Sequence, residues 1–323
     1  MEYKDFAETG LKPSVLGMGC SKIAALGKDR SEIVAMLEEA IGNGVNFFDT
    51  ADNYSYGDSE RLLGKVIGRR RGEMILCTKA GHTRGRVSRV GKFAIPLAKK
   101  LVRSLKPLRK AATSAAGNMP GGRNYQPDYA VQSIEQSLRR FGTDYLDVFL
   151  IHGPSPEDLA DGALLDALSR LKDKGVIRHY GVSCTRWASA EDVLKFLELS
   201  GPTVLQISVS PYNTEAFKAA LAPAASRGVG LIARDILYKG QLLSDPNMQA
   251  ALTKHAGRSA AQVAFQFAAQ ENPAGPVLAG LSSREHLRDL LSALSSPPLN
   301  PDDVEELRSL GEEFAPAKVN PAI

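Results

Sequence analysis

Short apolar runs rich in β-branched and aromatic residues alternate with longer amphipathic stretches along most of this 323-residue chain. Such an alternation is typical of parallel strands that are joined by helices. Eight runs predict strands, at residues 15–18, 46–50, 74–78, 145–151, 179–182, 204–209, 230–233 and 276–281. The eight alternations follow one another in order, and the amino-acid composition does not change along the chain. This pattern favours an α/β fold of the closed (β/α)8 TIM barrel class over a doubly wound open sheet.

Helical patterns fill the intervals between these strands. Most of them begin at a Ser, Thr or Asp that is placed to cap the first turn. They start near Ser31, Ser59, Pro127, Pro156, Ser189, Thr214, Ser259 and Ser283. Residues 3–13, with a Thr9-Gly10 turn, predict an N-terminal hairpin that covers the barrel floor. The tail from Pro301 predicts an extra C-terminal helix packed on the outside.

Composition limits the class of protein. With 43% hydrophobic and 24% charged residues, the chain is ordinary for a globular protein and long enough for one large core, so a single domain over 1–323 is expected. No uncharged stretch approaches the roughly 18 residues that a membrane-spanning helix needs. The first ten residues carry charges where a secretory signal requires an apolar run. A cytoplasmic location is therefore expected.

Three cysteines, Cys20, Cys77 and Cys184, are spaced neither as a CxxC redox pair nor as a zinc ligand set. This spacing is typical of reduced thiols in a reducing compartment. We expect neither a disulfide nor a metal site.

The competing open-sheet fold for dinucleotide binding would carry G-x-G-x-x-G at the end of its first strand. In this chain Gly17 and Gly19 are followed by Lys22, which stands where the third glycine should be. An isolated G-x-G is weak evidence for that fold, and the barrel is preferred.

Polar side chains mark the ends of three neighbouring strands of the predicted barrel. Asp49 lies near the end of the second strand, Lys79 follows the third and His152 follows the fourth. Tyr54 comes five residues after Asp49 in the adjoining loop. Barrel enzymes carry their reactive groups at this end of the strands. Singly these residues have ordinary roles as caps or solvated charges, but together they indicate an active site, because burying an unpaired Lys or Asp costs several kcal/mol.

Four motifs contain or accompany these residues: F-D-T-A-D-N-Y at 48–54, T-K-A-G at 78–81, L-I-H-G-P at 150–154 and G-V-S at 181–183. In this order and at these strand ends, they resemble the signatures of the aldo-keto reductase superfamily. The likeness covers nearly the whole chain and extends to S-E-R-L-L-G at 59–64, V-L-Q-I at 204–207 and G-L-S-S-R-E-H-L at 280–287. It implies nicotinamide-dependent reduction of a carbonyl, or the reverse oxidation.

The four candidate residues suit this chemistry. Reduction of a carbonyl needs a hydride on carbon and a proton on oxygen, so a positioned acid must supply the proton. Tyr54 is the candidate acid, because a free tyrosine, with a pKa of about 10, holds its proton at neutral pH. Lys79 is expected to lower that pKa, and Asp49 to keep Lys79 charged and in place. His152 is expected to hydrogen-bond the carbonyl oxygen.

The resemblance also implies a set of cofactor-binding residues. Ser183 and Gln206 are expected to hold the nicotinamide carboxamide, with Cys184 at a position where many relatives carry Asn. Arg234 stands where the family often places an aromatic residue that stacks on the nicotinamide. The other candidates are Gly19, Leu237, Gly280, Ser282, Arg284, His286 and Arg288.

The preferred cofactor is NADPH, with NADH as the alternative. Arg284, His286 and Arg288 place potential cations where a 2′-phosphate would lie, and Arg pairs well with phosphate. Relatives commonly have Gln at the position of His286 and Asn at that of Leu290, so the adenine contacts differ. The other interpretation of the three cations is a solvated helix face.

Two other functions stay open at this point. One is an NAD-linked aldose or alcohol dehydrogenase, because the same residues serve both directions of the reaction. The other is a nicotinamide-binding regulatory subunit similar to potassium-channel β subunits. A barrel isomerase or hydrolase without nicotinamide would leave the four polar residues unexplained. We expect a small-molecule carbonyl or sugar as substrate and no nucleic acid as partner, and the sequence does not indicate an oligomeric state.

A long basic insertion at 82–126 separates the third strand from the next helix and contains no Asp or Glu. Four of its leucines recur at helical spacing, with basic residues on the other side: Leu97, Leu101, Leu105 and Leu108. This pattern predicts an amphipathic segment. It is interpreted as an ordinary surface helix, as a lid that recruits an anionic or apolar substrate, or as a patch over 92–110 that touches an anionic membrane.

Overall fold

The computed structural model describes residues 1–25, 27–83, 122–255 and 257–316. Eight parallel strands close into a barrel in sequence order, and the last strand pairs with the first. They are β1 (Leu16–Gly19), β2 (Phe47–Asp49), β3 (Ile75–Ala80), β4 (Leu146–His152), β5 (Ile177–Ser183), β6 (Val204–Ser208), β7 (Gly230–Arg234) and β8 (Val277–Gly280). The predicted (β/α)8 barrel is confirmed, and each predicted strand overlaps an observed one.

Helices surround the barrel. The α-helices are α1 (Arg30–Gly42), α2 (Asp58–Ile67), α3 (Pro127–Phe141), α4 (Ala163–Asp173), α5 (Ala190–Glu198), α6 (Glu215–Ser226), α7 (Gln241–Ser244), α8 (Pro246–Thr253), α9 (Ala260–Glu271), α10 (Arg284–Ala293) and α11 (Pro301–Phe314). Short 3₁₀ helices span Ala7–Thr9, Tyr54–Gly57, Gly68–Glu73, Glu157–Leu159 and Tyr238–Gly240. Seven of the predicted helix starts lie within one residue of an observed start.

The predicted start near Pro156 was wrong. Pro156 precedes only the 3₁₀ turn Glu157–Leu159, and Gly162, with φ of 71°, separates that turn from α4. A residue in this left-handed conformation interrupts a right-handed helix. The predicted caps Ser189 and Ser259 each form a capping box at the start of α5 and α9, and Ser283 caps α10. Ser31 and Ser59 instead lie inside α1 and α2, and the side chain of Thr214 makes no capping hydrogen bond at α6.

The N-terminal segment folds back on itself beneath the barrel, as predicted. Tyr3 pairs antiparallel with Ser14, and the amide of Lys4 donates to the carbonyl of Pro13 at 2.9 Å. The pairing is an isolated bridge, because the 3₁₀ turn Ala7–Thr9 occupies the middle of the segment. Gly10 completes the reversal with φ of 69°, a conformation that glycine adopts without strain.

Phe6 from this segment seals the barrel floor. It is only 1% exposed and packs in the barrel interior. There it belongs to an apolar cluster formed by Phe6, Phe47, Ile75, Cys77, Val148, Leu150, Val204, Ile232 and Leu278. A Cβ atom at Gly230 would lie 2.6 Å from the Phe6 ring, so glycine makes room for this plug. Because the floor is apolar and closed, polar groups inside the barrel meet at its opposite end, the C-terminal mouth.

The C-terminal helix α11 packs outside the barrel, as predicted. Its Val304 and Leu307 join a second apolar cluster that includes Tyr212 and Tyr238, from the loops after β6 and β7. Gly311 approaches so closely that a Cβ atom there would lie 1.9 Å from the carbonyl oxygen of Pro211. The tail is therefore tied to loops that surround the barrel mouth.

Most of the basic insertion 82–126, including the amphipathic segment predicted within 92–110, lies outside the described residues. The two ends of the insertion are described and are held together. The amide of Thr83 donates to the carbonyl of Gly122 at 2.8 Å, beside an antiparallel bridge between His82 and Arg123. No helix within the described ranges is long and apolar enough to cross a membrane.

The floor plug gives a stability prediction. We expect Phe6→Ala to lower the free energy of unfolding by roughly 3–5 kcal/mol, because a large buried ring leaves a cavity inside a closed barrel. Chemical denaturation monitored by circular dichroism measures the change. Tyr3→Phe, which removes one exposed hydrogen bond from the same segment, should cost less than about 1 kcal/mol. Equal losses in the two variants would contradict the plug.

Candidate active site

The four predicted catalytic residues lie together at the barrel mouth. Asp49 and His152 are the last residues of β2 and β4, and Lys79 is the penultimate residue of β3. Tyr54 opens the 3₁₀ helix Tyr54–Gly57, between β2 and α2. Since the strands are parallel neighbours, their C-terminal ends bring the amine, the carboxylate and the imidazole to one edge of the barrel.

Lys79 and Asp49 form a buried ion pair. The Nζ atom of Lys79 lies 2.6 Å from both carboxylate oxygens of Asp49 and also donates to the carbonyl of Thr50 at 2.8 Å. The two residues are only 2% and 5% exposed. Burial alone would lower the pKa of Lys79, but the Asp49 carboxylate, together with Tyr54 and Cys77, outweighs burial and the pKa is raised. Lys79 is therefore charged at neutral pH.

Hydrogen bonds also connect Asp49 to β5 and β6. The side-chain amide of Gln206 donates to Asp49 Oδ1 at 2.9 Å, and the hydroxyl of Ser183 donates to Gln206 Oε1 at 2.7 Å. All three side chains are buried. Sequence analysis predicted Ser183 and Gln206 as cofactor-binding residues. In the structure their hydrogen bonds hold the carboxylate that faces Lys79.

Tyr54 lies over this ion pair, with Lys79 Nζ 5.6 Å from the centre of its ring. Burial raises the pKa of Tyr54, and the nearby ammonium of Lys79 lowers it by less. Lys79 therefore acts on the pKa of Tyr54 in the expected direction, but burial outweighs this effect and the net pKa is raised. Tyr54 stays protonated at neutral pH.

The residues that follow Tyr54 have an unusual backbone. Ser55, Tyr56 and Gly57 have φ values of 49°, 61° and 79°, and non-glycine residues rarely adopt this left-handed region. Three such residues in succession reverse the chain sharply before α2. Strain of this kind persists only where the surroundings hold the loop in place.

A second buried network holds this loop, and sequence analysis assigned it no role. Glu60 is 0% exposed, accepts a hydrogen bond from Thr78 Oγ1 at 2.7 Å and forms an ion pair with Arg140. The side chain of Arg140 fills the space beside Gly57, where a Cβ atom would lie 2.7 Å from Arg140 Cδ. The network ties the Tyr54 loop to β3 beside Lys79. The S-E-R-L-L-G motif at 59–64, which contains Glu60, is the sequence feature that pointed to this network.

His152 completes the group on β4. Its ring lies 6.1 Å from that of Tyr54 in an edge-to-face arrangement. Burial, and then the positive charge of Lys79, hold the pKa of His152 well below its usual range, so the imidazole is neutral. Its Nδ1 atom is buried and has no hydrogen-bond partner among the described residues. The ring of His82, which sequence analysis did not single out, lies 4.5 Å from it.

Arg234 lies across the mouth at the end of β7. One of its terminal nitrogens donates to the carbonyl of Cys184 at 2.5 Å, whereas its Nε is buried without a partner in the described part of the chain. The Cys184 side chain packs in the apolar layer between strands and helices, and burial raises the pKa of its thiol to about 12. The structure thus brings the backbone of Cys184 to Arg234 but points its thiol into the core.

Beside Arg234 is a partly buried ion pair that sequence analysis missed. Arg186 pairs with Asp235, which has φ of 64°, and the Arg186 guanidinium lies 4.7 Å from the centre of the Tyr238 ring. Leu237, a predicted cofactor residue, directly precedes Tyr238 and is half-buried between two apolar clusters. This packing fixes the loop after β7.

The predicted dinucleotide clamp lies at the start of α10. Arg284 and Arg288 both pair with Glu39 of α1, with Arg284 Nε at 2.6 Å, and hydrogen bonds from Arg288 and then Arg284 hold the pKa of Glu39 below its usual value. His286 Nδ1 lies 3.0 Å from Ser282 Oγ. Lys28, absent from the predicted set, donates to the carbonyl of Ser282 at 3.1 Å.

The remaining predicted cofactor positions lie at the seam between the first and last strands. Gly19 and Gly280 are paired partners at the ends of β1 and β8. A Cβ atom at Gly19 would lie 3.3 Å from the carbonyl oxygen of Ala279, whereas Gly280 has open space around it. Leu290 packs in the main core, so the structure does not bring it to the clamp.

The three cysteines are free and buried. No group of three or more His, Cys, Asp or Glu side chains among the residues described could hold a metal ion.

The chain is similar in sequence and in fold to known proteins. The sequence model of the aldo/keto reductase family matches residues 15–312. The uncharacterised oxidoreductase YqkF of Bacillus subtilis is 26% identical over 96% of this chain and 96% of its own. The aldo-keto reductase yakc [NADP(+)] of Schizosaccharomyces pombe is 26% identical over 62% of this chain and 50% of its own. The holo form of the aldo-keto reductase AKR11C1 from Bacillus halodurans superposes with a TM-score of 0.76 at 22% identity, over 98% and 99% of the two chains.

The network under the Tyr54 loop can be tested by stability. Glu60→Gln leaves the mostly buried Arg140 without its counter-charge, so we expect a loss of about 3 kcal/mol in the free energy of unfolding. Glu135→Gln breaks an exposed pair with Arg139 in the same helix and should cost less than about 1 kcal/mol. Urea denaturation compares them, and a Glu60→Gln variant as stable as Glu135→Gln would show that the buried pair is not needed.

Proposed function

The chain belongs to the aldo/keto reductase family, and we propose that it is an NADPH-dependent oxidoreductase that reduces an aldehyde or ketone or oxidises the corresponding alcohol. One observation carries the proposal. The buried pair of Lys79 and Asp49 lies directly beside the ring of Tyr54 at the barrel mouth. A buried ion pair adds little stability compared with an apolar pair of the same size, so its presence next to a phenol favours a role in chemistry.

Tyr54 is the proposed proton donor. Because its pKa is raised, it holds its proton at neutral pH until the substrate carbonyl oxygen begins to gain negative charge. As the proton leaves, negative charge develops on the phenol oxygen. The Lys79 ammonium, fixed by Asp49, is already in place to stabilise that charge. In the oxidation direction the same phenol oxygen takes the proton back.

His152 is the proposed donor that orients the substrate. A buried N–H without an acceptor is rarer than a buried lone pair without a donor, so the unpartnered Nδ1 favours the neutral tautomer with its proton on Nε2. A neutral imidazole can donate this proton in a hydrogen bond to the carbonyl oxygen without adding a charge. This places the oxygen between the phenol of Tyr54 and the imidazole of His152.

The residues around the mouth fit a nicotinamide dinucleotide. Ser183 and Gln206 offer a hydroxyl and an amide for the carboxamide, and Arg234 Nε is a buried donor without a partner in the described ranges. When bound, the cofactor supplies the hydride that adds to the carbonyl carbon. Arg284 and Arg288 share one carboxylate, Glu39, so one positive charge of the pair is left to attract a 2′-phosphate. A relative named with NADP(+) supports this preference.

A binding and turnover experiment tests the proposal as a whole. Titration of the protein with NADPH and with NADH, followed by fluorescence, gives the cofactor preference. A panel of aldehydes, ketones and sugars with the preferred cofactor then tests for a small-molecule carbonyl or sugar substrate. Binding without turnover on any of these would instead support a nicotinamide-binding regulatory role.

Removal of the Tyr54 hydroxyl should separate binding from chemistry. We expect Tyr54→Phe to bind NADPH with nearly unchanged affinity and to lose roughly a hundredfold or more in kcat, because only the proton donor is absent. The matched control is Tyr56→Phe, in the same loop, which should keep kcat within about twofold of the wild type. Full carbonyl reduction by Tyr54→Phe would show that another residue is the acid.

Removal of the Lys79 charge should change the pH profile. Lys79 lowers the pKa of Tyr54, so in Lys79→Met that pKa rises further and the alkaline limb of kcat for reduction moves to higher pH. The phenol also becomes a weaker acid, and kcat should fall at least about tenfold. Lys65→Met, on the exposed face of α2, serves as the control. An unshifted limb in Lys79→Met would place Lys79 outside the control of Tyr54.

A further inference from the structure

The ring of His152 lacks the hydrogen bond that usually orients a histidine in an active site. Such a ring is normally fixed by a partner on its second nitrogen, which also sets the tautomer. Here Nδ1 is buried and has no partner among the described residues. The direction in which Nε2 points must therefore be set by contacts to the faces and edges of the ring.

His82 provides the nearest ring contact. The His82 and His152 rings lie 4.5 Å apart at an interplanar angle of 83°, an edge-to-face geometry that aromatic rings favour. The Tyr54 ring makes a similar but longer contact at 6.1 Å. Burial, and then the positive charge of Arg123, lower the pKa of His82. Two neutral imidazoles can therefore pack together at neutral pH without repulsion.

The backbone around His82 is built to hold its ring in this place. His82 bridges Arg123, and the amide of Asn124 donates to the carbonyl of Gly81 at 2.8 Å. Gly153 has φ of 67°, and a Cβ atom there would lie 3.2 Å from His82 Nε2. The absence of a side chain at Gly153 leaves the space that the His82 ring occupies.

Tyr125 holds the backbone of His152, the other residue of the ring contact. Its hydroxyl lies 3.1 Å from the carbonyl oxygen of His152 and 2.7 Å from that of Gly153, and it donates to these oxygens. The Tyr125 ring also packs over Gly81, where a Cβ atom would lie 2.7 Å away. The segment that follows β3 and contains His82 is thus held against the end of β4, which carries His152.

We propose that His82 is a positioning residue that holds the His152 ring by edge-to-face contact, in place of a hydrogen-bond partner at Nδ1. The inference rests on the proposed function, in which His152 donates to the substrate oxygen. In this role His82 acts through the packing of its ring, and its ring nitrogens are not required. A phenyl ring at this position should therefore replace it, and a methyl group should not.

Two variants separate these roles in turnover. We expect His82→Ala to bind NADPH as the wild type does and to lose about ten- to hundredfold in kcat, because a misdirected donor no longer meets the oxygen. His82→Phe keeps the ring contact and should restore kcat to within about threefold of the wild type. His179→Ala, on β5 nearer the barrel floor, is the matched control and should leave kcat unchanged.

The imidazole spectrum provides a readout that does not depend on activity. The chain has five histidines, so ring ¹⁵N–¹H correlations can be assigned by subtraction with His152→Gln. We expect one Nε2–H tautomer for His152 in the wild type and in His82→Phe, and a mixture of tautomers or broadened signals in His82→Ala.

Two results would overturn the inference: a His82→Ala variant with unchanged kcat and unchanged His152 signals, or a His82→Phe variant that loses as much as His82→Ala. A wild-type protein that reduces no carbonyl would overturn the proposed function instead. The His152 signals of the variants would still decide whether His82 positions that ring.

Discussion

The buried ion pair between Lys79 and Asp49 is the constraint around which the barrel mouth is built. Removing two charges from water costs several kcal/mol per ion, and their attraction repays this only with good geometry and further hydrogen bonds. The structure supplies both, through two contacts of 2.6 Å and the additional partners Thr50 and Gln206. Since an apolar pair of equal volume would serve the core as well, we propose that the charges are retained for their effect on Tyr54.

The residues that surround this ion pair restrict the movement of the side chains at the barrel mouth. The floor plug of Phe6 closes the far end of the barrel, which keeps the interior apolar and strengthens electrostatic interactions at the mouth. The Glu60 and Arg140 pair holds the left-handed loop after Tyr54. The Ser183 and Gln206 side chains hold Asp49 from the opposite side. In the function that we propose, this arrangement holds the phenol, the amine and the imidazole in place before the substrate binds. Such preorganisation is how electrostatic catalysis avoids a reorganisation cost.

Sequence periodicity was sufficient for the fold and for the site at strand ends. Eight alternations place Asp49, Lys79 and His152 at one edge because a parallel barrel aligns its strand ends. Two-residue alternation along β5 also accounts for Ser183 facing the interior while Cys184 packs outward. The inward position of Ser183 and the outward position of Cys184 could thus have been derived from the strand pattern alone.

Other features depend on distances that no sequence pattern contains. The net pKa of Tyr54 is a balance between burial and the Lys79 charge, and the two effects have opposite signs. The pairing of Arg284 and Arg288 with Glu39 joins residues about 250 positions apart. The contact of His82 with His152 joins the segment after β3 to the end of β4. Such contacts are set by tertiary packing, and local propensity does not encode them.

The most direct measurement of the central claim is a titration of the Tyr54 phenol in the intact protein. With ¹³C label on the tyrosine Cζ atoms, the nine tyrosines give separate signals, and Tyr54→Phe identifies the one that matters. We expect a protonated phenol at neutral pH with a pKa above the ordinary value for tyrosine, and a further rise of that pKa in Lys79→Met. A phenolate at neutral pH, or a Tyr54 pKa that is indifferent to Lys79, would contradict it.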